Sequence, residues 1–302
     1  MGTIKQVALV GGTHGNELTG IALLRHWREH PDEIARSSFA VETHLANPKA
    51  NQANRRYLDQ DLNRQFHIDD LGDFTLTGYE HNRAKALNSL LGPKEDPRVD
   101  FVIDMHTTTA NMGMSLIFNT DDPLVVGMAF YVQQQMPHAT LFFDNMPSRL
   151  EDNFLTSLGR YNGFLIEVGP VPQGLLRADI YLETQQAAKH CLDYLELYNK
   201  GEVPELPKVR QGYQFVEKVK LPKNEAGDLT AMVHPNLQDK DYEPISKGDP
   251  FFLTTSGETI AYDRDETLYG AFINEAAYYD VSVGLSLMRK IDIELKSEPA
   301  AG

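Results

Sequence analysis

The sequence predicts an α/β protein, with a mainly parallel β-sheet flanked by helices and a smaller C-terminal β-rich domain. Apolar strand patterns alternate with helical patterns up to about residue 200, and such alternation is typical of a parallel sheet covered on both faces. After the Pro-rich stretch GEVPELPK the pattern changes to short alternating segments with turns at 225–227 and 256–257. We therefore predict one domain at 1–202 and a second at 203–302.

Four strands and four helices are predicted in the first domain. The strands are short runs dominated by apolar or alternating residues, mostly ended by Gly or Asn-Pro, and the helices carry apolar residues at helical spacing. The predicted strands are 6–10, 41–46, 101–105 and 163–168, and the predicted helices are 17–28, 80–91, 124–135 and 178–198.

Composition excludes several classes of protein. The chain has 28 Lys and Arg residues and 43 Asp and Glu residues, which gives a formal net charge of −15. An acidic surface repels nucleic acid and anionic membranes, so we expect neither as a partner. The single cysteine, Cys191, cannot form an intrachain disulfide, and its helical context predicts a packed core residue. No signal region and no apolar run near the ~20 residues of a membrane span are evident, which predicts a cytoplasmic protein.

The segment GGTHGNE at 11–17 carries the first chemical signal. His14 and Glu17 are three residues apart in the turn between a strand and a helix, so both side chains can reach one ion. His106 ends another buried strand, FVIDMH, and completes a three-ligand set of the kind that catalytic zinc prefers. Two alternatives remain open, namely a glycine-rich anion cradle at a helix N-terminus and a structural role for His106.

Glu167 in GFLIEVGP is the second signal, because a carboxylate inside an apolar strand is costly unless it is paired or functional. Near a metal it could act as a general base, and the alternative is a buried glutamate paired with an arginine. His14, Glu17, His106 and Glu167 all lie at or near strand ends, and sites in open α/β sheets form outside the carboxyl ends of the strands.

The third signal is ANRRYLDQDLNRQF at 53–66. Arg55, Arg56 and Arg64 cluster here in an otherwise acidic chain, and arginine binds carboxylates in a bidentate manner. Asn63 adds an amide donor, and Asp61 could orient one of the arginines. The alternative is a solvated charged loop.

In combination these motifs resemble the aspartoacylase family, within the wider zinc carboxypeptidase-like superfamily. The resemblance extends from residue 7 to residue 279, so it covers nearly the whole chain. The matching stretches are VALVGGTHGNELTG, RRYLDQDLNR, DMHTTTANMG, IEVGPVPQGLLRADI, VHPNLQD and FINEAAYY.

The resemblance implies a zinc-dependent amidohydrolase, with the zinc carboxypeptidase-like fold, that cleaves small N-acyl-L-amino acids. It also implies a homodimer and a C-terminal domain that caps the active site. The implied metal ligands, for one Zn²⁺ per subunit, are His14, Glu17 and His106. The other implied roles are activation of water by Glu167, stabilisation of the oxyanion by Arg56, and substrate binding by Asn63, Arg64 and Tyr278.

The substrate that the resemblance implies first is N-acetyl-L-aspartate, cleaved to acetate and L-aspartate. Members selective for it carry an arginine ten residues before the catalytic glutamate and a tyrosine four residues earlier. Here these positions are Ser157 and Asn153, so Arg160 or Arg149 would have to replace the arginine. N-acetyl aromatic amino acids are therefore the alternative substrates, and N-succinylglutamate is a more distant one. Two other classes remain open, a non-catalytic zinc- or ligand-binding protein and a peptidase.

Overall fold

The computed structural model describes residues 3–144 and 154–296, and the elements below are numbered in chain order. Thirteen strands are found in these ranges. They are β1 (Gln6–Gly11), β2 (Ala40–Leu45), β3 (Phe101–Thr107), β4 (Gly113–Phe118), β5 (Thr140–Phe143), β6 (Phe164–Gly169), β7 (Val209–Lys220), β8 (Ala231–Val233), β9 (Pro244–Ile245), β10 (Pro250–Thr254), β11 (Thr259–Ala261), β12 (Leu268–Ala271) and β13 (Val283–Glu294).

Six α-helices accompany the strands in the described ranges. They are α1 (Leu18–Glu29), α2 (Pro48–Gln52), α3 (Ile68–Gly72), α4 (Tyr79–Leu91), α5 (Pro123–Gln135) and α6 (Ala178–Lys200). None of the described helices is long and apolar enough to cross a bilayer.

Ten strands form one mixed sheet in the order β2-β1-β3-β6-β4-β5-β7-β13-β12-β9. Neighbours from β2 to β6 are parallel, β4 is antiparallel to β6, and β5 and β7 continue parallel to β4. The remaining pairs, from β7 to β9, are antiparallel. A second, antiparallel sheet has the order β11-β10-β8. The predicted fold class is therefore confirmed.

Helices cover both faces of the parallel part of the sheet. The side chains of each strand alternate between the two faces, so each strand contributes to two cores. On one face Val7 and Leu9 pack in the same core as Trp27 of α1 and residues of α5 and α6. On the other face Ala8 and Val10 pack with Leu87 and its neighbours on α4. Cys191 is fully buried in the first of these cores, as its sequence context predicts.

All four predicted strands and all four predicted helices are present within about two residues of their expected ends. β4 and β5, which are short apolar runs on either side of α5, were not predicted. β13 was not predicted either, because four of its last six residues are charged and only Ile291 and Ile293 of that half pack against the core. The domain boundary at 202/203 stays a prediction, since β7 pairs with β5 and carries the sheet across that position.

We expect Asp241 to make the stability of the protein depend on pH. Its Oδ1 accepts a hydrogen bond from the backbone N–H of Ile273 at 3.0 Å, whereas Oδ2 is buried without a partner. Burial raises the pKa of Asp241 to about 7, above its ordinary value of 3.8, so the folded state favours the protonated acid. Stability is therefore lost as the pH rises from about 4 through about 7.

We expect the Asp241→Asn substitution to remove this dependence, because asparagine does not ionise. The Tm of the variant minus that of the wild type should increase between about pH 4.5 and pH 8, as thermal unfolding measures. The control is Asp265→Asn. The Asp265 side chain is 93% exposed, so the Tm of this variant minus that of the wild type should stay constant over the same pH range. A constant difference for Asp241→Asn as well would contradict this origin of the pH dependence.

Candidate active site

The loop between β1 and α1 brings His14 and Glu17 to the carboxyl edge of the sheet. This turn requires glycine at Gly15, where a Cβ atom would lie 2.2 Å from the backbone of Ala50 and Asn51. Asn51 Nδ2 also donates a hydrogen bond to the Gly15 carbonyl at 2.9 Å, which stabilises this close approach. The glycines of GGTHGNE thus allow the loop to pack against α2.

His14, Glu17 and His106 converge in one buried cluster. His14 Nδ1 lies 2.6 Å from Glu17 Oε1, and His106 Nδ1 lies 3.0 Å from Glu17 Oε2. The two Nδ1 atoms are 3.2 Å apart, and each of the three side chains is at most 5% exposed. Among the described residues, these three form a group whose ligand atoms all lie within 4.8 Å of one another.

Carboxylates outside the cluster orient both imidazole rings. His14 Nε2 lies 3.0 Å from Asp61 Oδ1, and His106 Nε2 lies 2.8 Å from Asp104 Oδ2. Asp104 is itself fixed by the hydroxyl group of Thr13, which donates to it at 2.9 Å. With the ring hydrogens on Nε2, both Nδ1 lone pairs face the interior of the cluster. Metal-binding histidines commonly have such carboxylate partners.

The cluster fits a divalent cation such as zinc. Burial alone would raise the pKa of Glu17, yet the positive charge that His14 and His106 carry without a metal holds it well below its ordinary range, so the carboxylate is charged. A divalent cation can replace that charge: once both rings are neutral, their two Nδ1 lone pairs and the carboxylate repel one another unless a positive charge lies between them. Two histidines and one glutamate are also a common ligand set of catalytic zinc sites.

Glu167 lies beside the cluster on the neighbouring strand. It is in register with His106, is 8% exposed and lines a cavity together with the three side chains of the cluster. Burial raises the pKa of Glu167 well above its ordinary range, and the nearby charge of Glu17 raises it further. A carboxyl group in these surroundings is suited to accept and return a proton.

Arg56 joins the 53–66 loop to the cluster. Its guanidinium donates to Glu17 Oε1 at 3.2 Å and to Asp61 Oδ2 at 3.1 Å. Burial would lower the pKa of Arg56, but Asp61 and Glu17 raise it, so the group stays charged. The expected orienting role of Asp61 agrees with this geometry. Arg55, in contrast, is exposed and does not line the cavity.

Asn63 and Arg64 line the cavity next to Phe154. Asn63 is buried, and its Oδ1 accepts a hydrogen bond from the backbone N–H of Leu155 at 2.9 Å, which fixes the orientation of its amide group. The Arg64 guanidinium lies 4.8 Å from the centroid of the Phe154 ring. Stacking of this kind restricts the arginine without neutralising its charge.

The C-terminal part supplies one wall of the cavity through Tyr278, Glu275 and Lys218. The Glu275 carboxylate accepts hydrogen bonds from the backbone N–H of Thr109 at 2.7 Å and from the Thr108 hydroxyl group. It therefore fastens the Tyr278 segment to the loop that follows β3. Lys218 Nζ lies 4.7 Å from the centroid of the Tyr278 ring.

One cavity therefore brings together the eight site residues expected from the sequence. They are His14, Glu17, Arg56, Asn63, Arg64, His106, Glu167 and Tyr278. Four further residues of this site were not predicted from the sequence, namely Asp104, Glu275, Lys218 and Phe154. The only sequence signal for these was an acidic residue two positions before His106 and another within NEAAYY.

The expectation that Arg160 replaces the missing selective arginine is wrong. The Arg160 side chain donates to Asp100 Oδ1 at 3.1 Å and to the Pro97 carbonyl at 3.2 Å, and it does not line the cavity. Ser157 is likewise directed elsewhere, since its hydroxyl group donates to the Phe154 carbonyl at 2.6 Å. Arg149 and Asn153 lie outside the described residues.

This fold and cavity define an α/β enzyme with a polar active site at the carboxyl edge of the sheet. Comparison with known families agrees. The model of the succinylglutamate desuccinylase/aspartoacylase catalytic domain matches residues 3–195, and that of the AstE/AspA barrel-sandwich hybrid domain matches residues 209–290. The chain belongs to the succinylglutamate desuccinylase/aspartoacylase family and is an enzyme, as the sequence analysis predicted.

Similar proteins match over nearly their whole lengths. A probable aspartoacylase from Nostoc is 43% identical over 96% of this chain and 98% of its own. The human N-acyl-aromatic-L-amino acid amidohydrolase (carboxylate-forming) is 41% identical over 98% of this chain and 94% of its own. The crystal structure of murine aminoacylase 3 superposes with a TM-score of 0.92 at 40% identity, covering 98% of both chains.

Proposed function

We propose that this protein is a zinc-dependent amidohydrolase that cleaves N-acyl-L-amino acids into a carboxylate and a free amino acid. The observation that carries the proposal is the buried cluster of His14, Glu17 and His106, with both histidines oriented by carboxylates and with Glu167 beside it. The names of the relatives support hydrolysis of an N-acyl amino acid.

In this proposal His14, Glu17 and His106 hold the zinc ion. When bound, zinc supplies Lewis-acid activation of water and of the scissile carbonyl group. Glu167 accepts a proton from the attacking water and returns it to the leaving amine nitrogen. Arg56, which remains charged, donates hydrogen bonds to the oxyanion that develops from the carbonyl oxygen.

Substrate binding is assigned to the side chains around the rest of the cavity. Asn63 Nδ2 and Arg64 bind the α-carboxylate, because an oriented amide and a stacked guanidinium are suitable donors to it. Tyr278 donates a hydrogen bond to the substrate from the C-terminal wall.

N-acetyl-L-aspartate is the first substrate that we propose. Its second carboxylate needs a positive partner, and Lys218 is a cation of the cavity wall that the family-based expectation did not include. The names of the Nostoc and rat relatives, the latter 39% identical, agree with this choice.

N-acetyl aromatic amino acids are the second candidate. Apolar side chains, among them Phe154, Ile117 and Leu165, line the cavity, and Arg160 does not reach it. The names of the human and rat amidohydrolases agree with this alternative. Assay of N-acetyl-L-aspartate against N-acetyl-L-tyrosine with the zinc-loaded protein separates the two candidates. Equal or reversed kcat/KM values would reject the aspartate assignment.

We expect the Lys218→Met substitution to lower the preference for N-acetyl-L-aspartate over N-acetyl-L-tyrosine by about fivefold. Lys218 lies at an exposed part of the cavity wall, where a charge pair contributes up to about 1 kcal/mol. The measurement is the ratio of the two kcat/KM values. Lys220→Met is the matched control, since it removes the same charge from an exposed position of β7 outside the cavity. An unchanged ratio in Lys218→Met would show that Lys218 does not select the substrate.

A further inference from the structure

Glu80, the second residue of α4, is fully buried and binds the loop that contains Arg56. Its Oε1 accepts a hydrogen bond from the backbone N–H of Leu58 at 2.8 Å, and its Oε2 accepts from the backbone N–H groups of Asp59 at 3.0 Å and Gln60 at 3.3 Å. Asn47 Nδ2 donates to Oε1 as well, at 3.2 Å. One carboxylate therefore holds three successive amides of an irregular segment.

These three amides lie between the two residues of the loop that contact the cluster of His14, Glu17 and His106. On one side is Arg56, whose carbonyl accepts a hydrogen bond from the backbone N–H of Gly15 at 3.0 Å. On the other side is Asp61, which contacts both His14 and Arg56. A shift of the amides at 58–60 would therefore move Asp61, and with it the Arg56 guanidinium.

The hydrogen bonds explain why a carboxylate is needed at this position. A buried carboxylate is destabilising unless its oxygens are satisfied, and here both accept from at least two groups. Three successive N–H groups that point to one side cannot bond to one another, so they require an acceptor of this shape. Glu80 is itself outside the cavity, and it can act on the reaction only through the loop.

We propose that Glu80 is a positioning residue for the hydrolysis, which fixes the 58–60 backbone so that Asp61 and Arg56 are held in their reactive arrangement. The proposal rests on the proposed function, because it needs Arg56 to act on the scissile carbonyl group. It assigns Glu80 no contact with substrate.

The test is the Glu80→Gln variant, which keeps the size of the side chain and replaces one acceptor oxygen with an NH₂ group that faces N–H donors. We expect kcat per bound zinc to fall by about 10- to 100-fold, the loss that a misplacement of about 1 Å can cause. KM should change less than kcat, within about threefold, since the Asn63 side chain is also held by a hydrogen bond from the backbone N–H of Leu155. Asp61 also contacts His14, so both proteins are assayed at saturating zinc and their kcat values are compared per bound zinc.

Glu196→Gln is the matched control. Glu196 is also a buried glutamate of a helix, and it accepts backbone hydrogen bonds from Ser37 at 3.2 Å and Ser38 at 3.0 Å, but it does not line the cavity. Its replacement should lower Tm without lowering kcat, when both variants are assayed well below their Tm. A lower kcat in Glu80→Gln alone therefore separates positioning from general stabilisation.

The outcomes distinguish the two proposals. If the wild type releases no amino acid from N-acyl amino acids, the proposed function fails. If the wild type is active and Glu80→Gln keeps its kcat, or if Glu196→Gln loses kcat equally, the role of Glu80 is rejected. Should Glu80→Gln not fold, Asn47→Ala removes one hydrogen bond to Glu80, and we expect a fall in kcat of about threefold. An unchanged kcat in that variant would then reject the role.

Discussion

Replacing Glu167 with glutamine is expected to lower kcat by roughly a thousandfold, within the range of about 10²–10⁴ that general acid–base catalysis contributes. Glutamine has nearly the same shape, but it cannot accept the proton from water or return it to the amine. Glu167 lies next to His106 and is not one of the three converging side chains. The variant should therefore bind as much zinc as the wild type, which metal analysis of the purified protein measures.

The ratio of activity to zinc content is the quantity to compare in this experiment. Glu196→Gln serves again as the control, because it changes a buried glutamate outside the cavity in the same way. A Glu167→Gln enzyme that retains its zinc and full kcat would contradict the assignment of Glu167 as the base. A variant that retains neither zinc nor activity would instead assign Glu167 to the metal site.

Replacing His106 with alanine is expected to abolish zinc binding and, with it, activity. Loss of an outer partner of a ligand alone weakens metal affinity by about 10- to 100-fold, and loss of the ligand itself should exceed that. His106 also takes part in the hydrogen bond to Asp104, so the substitution leaves a buried carboxylate without one of its partners. We therefore expect a lower Tm as well.

Zinc titration monitored by thermal unfolding measures both effects of His106→Ala. A ligand that binds only the folded state raises Tm, so added zinc should stabilise the wild type and not the variant. His138→Ala is the control, since that side chain is 60% exposed and does not line the cavity, and it should respond like the wild type. Equal stabilisation of His106→Ala by zinc would show that the metal binds elsewhere.

The sequence was sufficient to predict the residues that lie at strand ends. His14, Glu17, His106 and Glu167 each follow or end a strand that apolar patterning identifies, and the parallel arrangement brings these ends to one edge. Arg56, Asn63 and Arg64 were found through the charge contrast of their loop, although charge alone did not indicate that Arg55 would be exposed.

Residues whose position depends on pairing between distant segments could not be predicted in this way. Glu275 and Lys218 reach the cavity because β7 and β13 extend the sheet past β5, a pairing that no local pattern reveals. Glu80 resembles an ordinary residue of a helical first turn until its backbone partners are known. Arg160 was considered for the cavity from its distance along the chain, but its turn directs it to Asp100.

The homodimer and the cytoplasmic location stay predictions. Different features of the cavity favour the two candidate substrates: an exposed lysine favours N-acetyl-L-aspartate, and an apolar wall favours N-acetyl aromatic amino acids. The Lys218→Met variant tests whether the lysine contributes to the substrate preference.

The central claim is that hydrolysis depends on zinc at His14, Glu17 and His106. The most direct measurement is the release of free amino acid from N-acetyl-L-aspartate and N-acetyl-L-tyrosine by metal-depleted protein as Zn²⁺ is added. We expect no release without metal, and a rate that rises to a plateau at about one zinc per chain. Release that is independent of added metal, or no release of either amino acid at full zinc occupancy, would contradict it.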